Sequence, residues 1–135
     1  MARMAGVWMI LAAPREVGDD VSLTVGGTII LTQQEVDKIG NQALSLRVLI
    51  MDDDSFNDDE VVDFSDTFAG PFNAGANSFQ TTVFTVSHDK VADSEPGYES
   101  VAELYARVRV SPASVTFSLK TNWAESNNVY VRFAA

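Results

Sequence analysis

Eight of the nineteen acidic residues of this 135-residue chain fall within fifteen positions: Asp52, Asp53, Asp54, Asp58, Asp59, Glu60, Asp63 and Asp66. They follow directly on the apolar run "LRVLIM", so a strand delivers them. Asp52 and Asp54 are alternate residues on leaving that strand, which lets their side chains converge on one side. Asp58 and Asp59 come after Ser55, Phe56 and Asn57, far enough on for the chain to curl back. Four carboxylates gathered at roughly 2.3 to 2.6 Å from one ion suit calcium, which takes oxygen ligands in flexible geometry. Asp52, Asp54, Asp58 and Asp59 are therefore the candidate metal ligands, with calcium as the cofactor they imply. Without a cation such charges repel one another and the loop gains nothing from their proximity. The competing reading is a solvated acidic loop that keeps a sheet end soluble and discourages edge pairing.

Other chemistries find less support. Paired carboxylates can serve glycoside hydrolysis, but one of the pair must be desolvated, and these acids are neighbours in a polar stretch. The EF-hand loop needs an oxygen ligand and then a glycine at its fifth and sixth positions, where this chain has Phe56 and Asn57. The one histidine, His88 in "SHDK", reads as an exposed residue of a hairpin turn. With no cysteine and one histidine, zinc sites and thiolate nucleophiles are excluded. No catalytic residue is assigned, and the chain is not expected to be an enzyme. "VGGT" joins two strand-like runs and reads as a bend or bulge rather than a phosphate loop.

The formal charge of −10 and nine basic residues against nineteen acids argue against nucleic acid as a partner and set anionic lipid at a disadvantage unless calcium neutralises the loop. Tyr105, Arg107 and Arg109 share one strand face, and the expectation there is pairing with acids on neighbouring strands.

At the acidic loop, "LRVLIMDDDSFNDDEVV" resembles the strand and third calcium loop of the calcium-and-lipid-binding C-two domains of protein kinase C and synaptotagmin. The resemblance spans Leu46 to Val62. It implies Asp52 and Asp54 as the first two ligands, Asp58 and Asp59 as the later pair, and Val61 and Val62 as an apolar pair returning to the sandwich. Those domains are eight-stranded antiparallel sandwiches.

The elements that must position these acids are strands. Alternation at period two runs through "ALSLRVLIM", "AELYARVRV", "SVTFSLK" and "NVYVRFAA". It turns Leu44, Leu46, Val48 and Ile50 inward, then Leu104, Ala106, Val108 and Val110, then Val115, Phe117 and Leu119, then Val129, Val131 and Phe133. "GVWMILA", "DVSLTV", "GTIIL" and "SFQTTVFTV" complete the set, the first read as a strand rather than the core of a secretory signal. Seven or eight strands separated by turn-rich stretches predict one all-β antiparallel β-sandwich domain over the whole chain. One short connecting helix is expected over Gln33 to Ile39. There Thr32 and Glu35 form a capping box and Leu31 and Val36 a hydrophobic staple. The longest irregular stretch is expected from Asp52 to about Ser78.

The function expected is a non-catalytic structural or interaction subunit of a larger assembly, such as a viral particle, tail, filament or surface layer, contacting protein neighbours in a homo- or hetero-oligomer. The alternative is a calcium-dependent module that docks on a membrane surface or an extracellular ligand through the Asp52 to Asp59 loop, with Phe56 at its tip.

Overall fold

Period-two patterning produces two antiparallel sheets packed face to face. The computed structural model describes residues 2–53, 58–94, 100–110, 119 and 121–134. Among these residues nine strands and two helices follow in the order β1 (Arg3–Leu11), β2 (Val21–Leu31), α1 (Gln33–Ile39), β3 (Leu44–Asp52), β4 (Asp59–Phe68), β5 (Gly75–Gln80), β6 (Phe84–Val86), α2 (His88–Asp93), β7 (Val101–Val110), β8 (Ala124–Glu125) and β9 (Val129–Arg132). One sheet has β2 at its centre, with β1 on one side and both β5 and β6 on the other. The second runs β4, β3, β7, with β8 and β9 pairing the far edge of β7. Because β5 with β6, and β8 with β9, each share one partner strand, the nine strands occupy seven places. The fold is the expected all-β sandwich.

The inward residues are those the alternation selects. Val48, Ile50, Leu104, Ala106, Val108 and Val110 of the second sheet are fully buried against Met9, Leu23, Val25 and Ile29 of the first. Leu119 and Val131 join them, with Val129 and Phe133 packed at the rim. Val115 and Phe117 lie outside the described residues. The capping box forms as expected: Thr32 Oγ1 accepts from the Glu35 N–H, and Glu35 accepts from the Thr32 N–H, so α1 starts where the sequence says.

Three expectations need correction. "VGGT" is neither bend nor bulge, since β2 runs through it without interruption. The bulge lies on the partner strand, where the β1 register slips between Ala5 and Trp8 and Gly6 adopts φ 58°. The glycines serve close approach instead, because a Cβ on Gly26 would sit 2.1 Å from the Trp8 ring, which lies across the strand there. Second, the stretch from Asp52 to Ser78 is not one irregular loop: Asp59 to Phe68 is a ten-residue strand, and β3 and β4 form a hairpin whose last paired residues are Asp52 and Asp59. Third, His88 is not in a hairpin turn. It opens the second helix, α2, which Ser87 caps by accepting from the Lys90 N–H, and it is half-buried there.

The two sheets are also tied along their edges. Asn122 accepts from the Met4 N–H at 3.0 Å and donates to the Met4 carbonyl at 3.1 Å. Asn127 repeats this on Met9, at 3.1 and 3.0 Å. Each amide thus supplies the donor and acceptor that a neighbouring strand would have offered the β1 edge. Met4 and Met9 are an odd number of residues apart yet both point inward, which the extra residue at the Gly6 bulge makes possible. On the opposite side Asp66 accepts from the Thr82 N–H at 2.8 Å, joining β4 to the β5–β6 link.

Candidate functional site

The hairpin end is built by the alternation of β3. Ile50 points inward and Met51 outward, so Asp52 follows Ile50 into the sandwich, where it is 1% exposed. Its Oδ2 lies 2.7 Å from the Ser94 hydroxyl at the end of α2. That hydroxyl is also 2.7 Å from the Val91 carbonyl oxygen, and having one hydrogen it donates to only one of them at a time. Among the described residues Asp52 Oδ1, itself buried, has no hydrogen-bond partner. A desolvated carboxylate with one shared donor is a costly group, and a cation is the natural complement to it.

The outer side of the same hairpin carries a second group of acids. Asp53 donates its N–H to the Glu103 carbonyl at 2.7 Å, and its Oδ2 accepts from Asn128 Nδ2 at 3.1 Å. Asp58 Oδ2 accepts from the Tyr105 hydroxyl. Tyr105 faces outward opposite Met51, in a small cluster with Leu49, Met51 and Trp123. Burial above all, then the hydrogen bond and charge of Asp58, pushes the Tyr105 hydroxyl well above the usual phenol range. It therefore remains a protonated donor at ordinary pH. Asp53, Asp58, Tyr105, Glu125, Ser126 and Asn128 line a cleft of about 290 Å³.

The expected ligands are thus distributed rather than gathered. Asp52 is inside and held by Ser94; Asp58 is bound to outward-facing Tyr105; Asp59 is exposed at the start of β4, opposite Asp52 in the ladder; Asp54 lies outside the described residues. Among the described residues no three acidic or histidine side chains are grouped closely enough to hold an ion. Asp19 and Asp20 are occupied elsewhere, accepting from the Glu16 and His88 N–H groups at 3.0 and 2.9 Å. The apolar pair does return to the fold. Val61 is buried and Val62 packs beside it, because a bulge sets these two residues of β4 against the Ile50–Met51 step.

The remaining acids decorate an edge strand. Asp59, Glu60, Asp63 and Asp66 all lie on β4, which among the described residues has a partner on one side only. Charge and a bulge on an edge strand obstruct pairing with another sheet. Asp63 also pairs with Arg47 at 2.9 Å.

Arg47 belongs to a cluster on the outer face of the second sheet. The guanidinium carbons of Arg47, Arg107 and Arg109 stand 5.9, 5.0 and 4.5 Å from the centre of the Trp123 ring. Of the residues expected to pair with acids, Tyr105 donates to Asp58 and Arg107 faces Glu125 across the ladder; the ion pair with Asp63 is made by Arg47, which that expectation did not include. Arg109 instead lies directly opposite Arg47, and its buried Nε has no hydrogen-bond partner among the described residues. The sequence placed Arg107 and Arg109 on a common face. It gave no sign that Trp123, from a turn-like stretch, would lie among them, or that Ser94 would meet Asp52. Comparison with protein-family models, with curated proteins and with solved structures finds no match to this chain.

Proposed function

We propose that this chain is a non-catalytic structural subunit that packs against protein neighbours in a larger assembly, with its acidic hairpin end ordered by calcium. The observation that carries the first part is on the outer face of the β1–β2–β5 sheet. Ile10 and Val83 are 52% and 61% exposed. Ile10 pairs with Thr24, and Val83 directly precedes Phe84, which pairs with the adjoining Leu23 on the opposite side of β2. Trp8 lies over Gly26 on the same face. The outward face of an antiparallel sheet is ordinarily polar, and contiguous exposed apolar side chains are what contact with a neighbouring protein buries.

Calcium is supported by Asp52, whose buried and unpartnered Oδ1 asks for a positive charge. Asp59 is its ladder partner, and Asp54 and Asp58 would complete an oxygen set of the kind calcium accepts. Asp58 joins that set only by giving up Tyr105. The ion would neutralise the hairpin and fix its shape for a neighbouring subunit.

The assembly reading is tested by light scattering over a range of concentrations, with wild type beside the Ile10→Asp, Val83→Asp double variant. Wild type should exceed its 14.7 kDa monomer mass as concentration rises, while the folded variant stays monomeric. Equal association of the two proteins would remove this face from the account.

A further inference from the structure

We infer that the partner of the outer face of the first sheet is the same face of a second copy, so that two chains close on one another about a twofold axis. This rests on the assembly reading above and names the partner and the symmetry of its contact. Charge is divided unequally between the two sheets. The strands β1, β2, β5 and β6 hold no acid and a single base, Arg3, at the start of β1. The second sheet carries one acid on β3, four on β4 and one each on β7 and β8. In a chain of net −10 the first sheet is thus the neutral side. A charged partner gains nothing there, whereas a second neutral face meets it without stripping water from any charge.

The same division selects the geometry. Face-to-face contact through the first sheets leaves the two second sheets outermost. At about 10 Å between neighbouring sheets they stand about 30 Å apart, against a Debye length of about 8 Å at physiological salt. Contact through the second sheets would instead set the β4 acids of the two copies near one another. The relief of the face is also self-complementary. Trp8, Gly26 and Gln80 form one row across β1, β2 and β5, and Ala5, Thr28 and Ser78 form the next. The first row is raised by the indole that fills the place of a Gly26 Cβ, while the second holds only small side chains. A twofold axis between the rows lays the indole of each copy on the small row of the other, as an isologous contact requires. With β2 eleven residues long and the sheet three strand places wide, each copy offers roughly 500 Å². The pair then buries about 1,000 Å², the lower bound for a specific interface, so it is weak and forms only as concentration rises.

The test uses sedimentation equilibrium of the full chain in chelator, so that no calcium-ordered hairpin contributes, with wild type beside Gln80→Glu and Gln80→Lys. Gln80 is exposed, and circular dichroism confirms that each variant is folded. Wild type should follow a monomer–dimer equilibrium whose mass stops at twice 14.7 kDa. Each variant alone sets like charges across the contact and should pair at least about tenfold more weakly. An equimolar mixture should pair again, since the glutamate face meets the lysine face. Raising sodium chloride from about 0.05 to 0.5 M should strengthen wild-type pairing, because screening relieves the repulsion between two acidic chains while the contact itself holds no ion pair. If wild type associates only with calcium, grows past two copies, is weakened by salt or is matched by either variant, or if the mixture stays apart, the twofold pair is wrong and the assembly reading stands without it. If wild type never associates, with calcium or without, both fall.

Discussion

Replacing Asn127 by alanine isolates the device that closes the sandwich on its β1 side. The substitution removes an acceptor from the Met9 N–H and a donor from the Met9 carbonyl, both part-buried, on a residue whose side chain is fully enclosed. An orphaned buried backbone group costs about 1–3 kcal/mol, and water reaching a part-buried site holds each loss to the lower half of that range. Two groups give about 2–4 kcal/mol. For a chain of this size each kcal/mol lowers Tm by roughly 3–4 °C, so calorimetry should show a drop of about 6–16 °C. Asn127→Asp should be no milder, because it keeps an acceptor for the N–H but sets a charged oxygen against the carbonyl. A freed β1 edge is also a template for pairing between chains, and the variant should aggregate on heating. A fall of less than about 2 °C would mean that water replaces the amide and that the asparagine ties do not hold the sheets together.

Two further outcomes follow from the hairpin end. The Tyr105 hydroxyl is raised above its ordinary 10.0, chiefly by burial and then by Asp58, so the folded state holds that proton more tightly than the unfolded chain. Its contribution is complete below pH of about 10 and is lost as pH rises further. Urea unfolding at a series of alkaline pH values should show this decline in wild type and a flatter one in Tyr105→Phe; parallel slopes would contradict it. Millimolar calcium should raise the Tm of wild type relative to chelator, by mass action on the folded state, and the gain should vanish in Asp52→Asn. An unchanged wild-type Tm would rule out the ion.

The sandwich was legible because burial imposes a period of two. Leu44, Leu46, Val48 and Ile50, and Leu104, Ala106, Val108 and Val110, fall on every second position, and the structure buries them in the core between the sheets. The helix after Thr32 was legible because its signals are local. β4 was hidden because its acids sit on an edge, where exposed charge is tolerated and the strand reads as loop. α2 was hidden by its length, six residues with one buried valine. The site was legible in part: the sequence marked Asp52 and the strand that carries it, but alternation sends Asp52 inward and leaves Asp58 to Tyr105 on the outward side. Whether two acids share a side depends on the faces of a hairpin, and their partners Ser94, Tyr105 and Asn128 arrive from distant segments that spacing cannot relate.

The most direct measurement of the central claim is sedimentation velocity of the unaltered chain across at least two decades of concentration, with millimolar calcium. A subunit that packs against its own copies should show a weight-average sedimentation coefficient that climbs with concentration. A single species of 14.7 kDa at every concentration would contradict it.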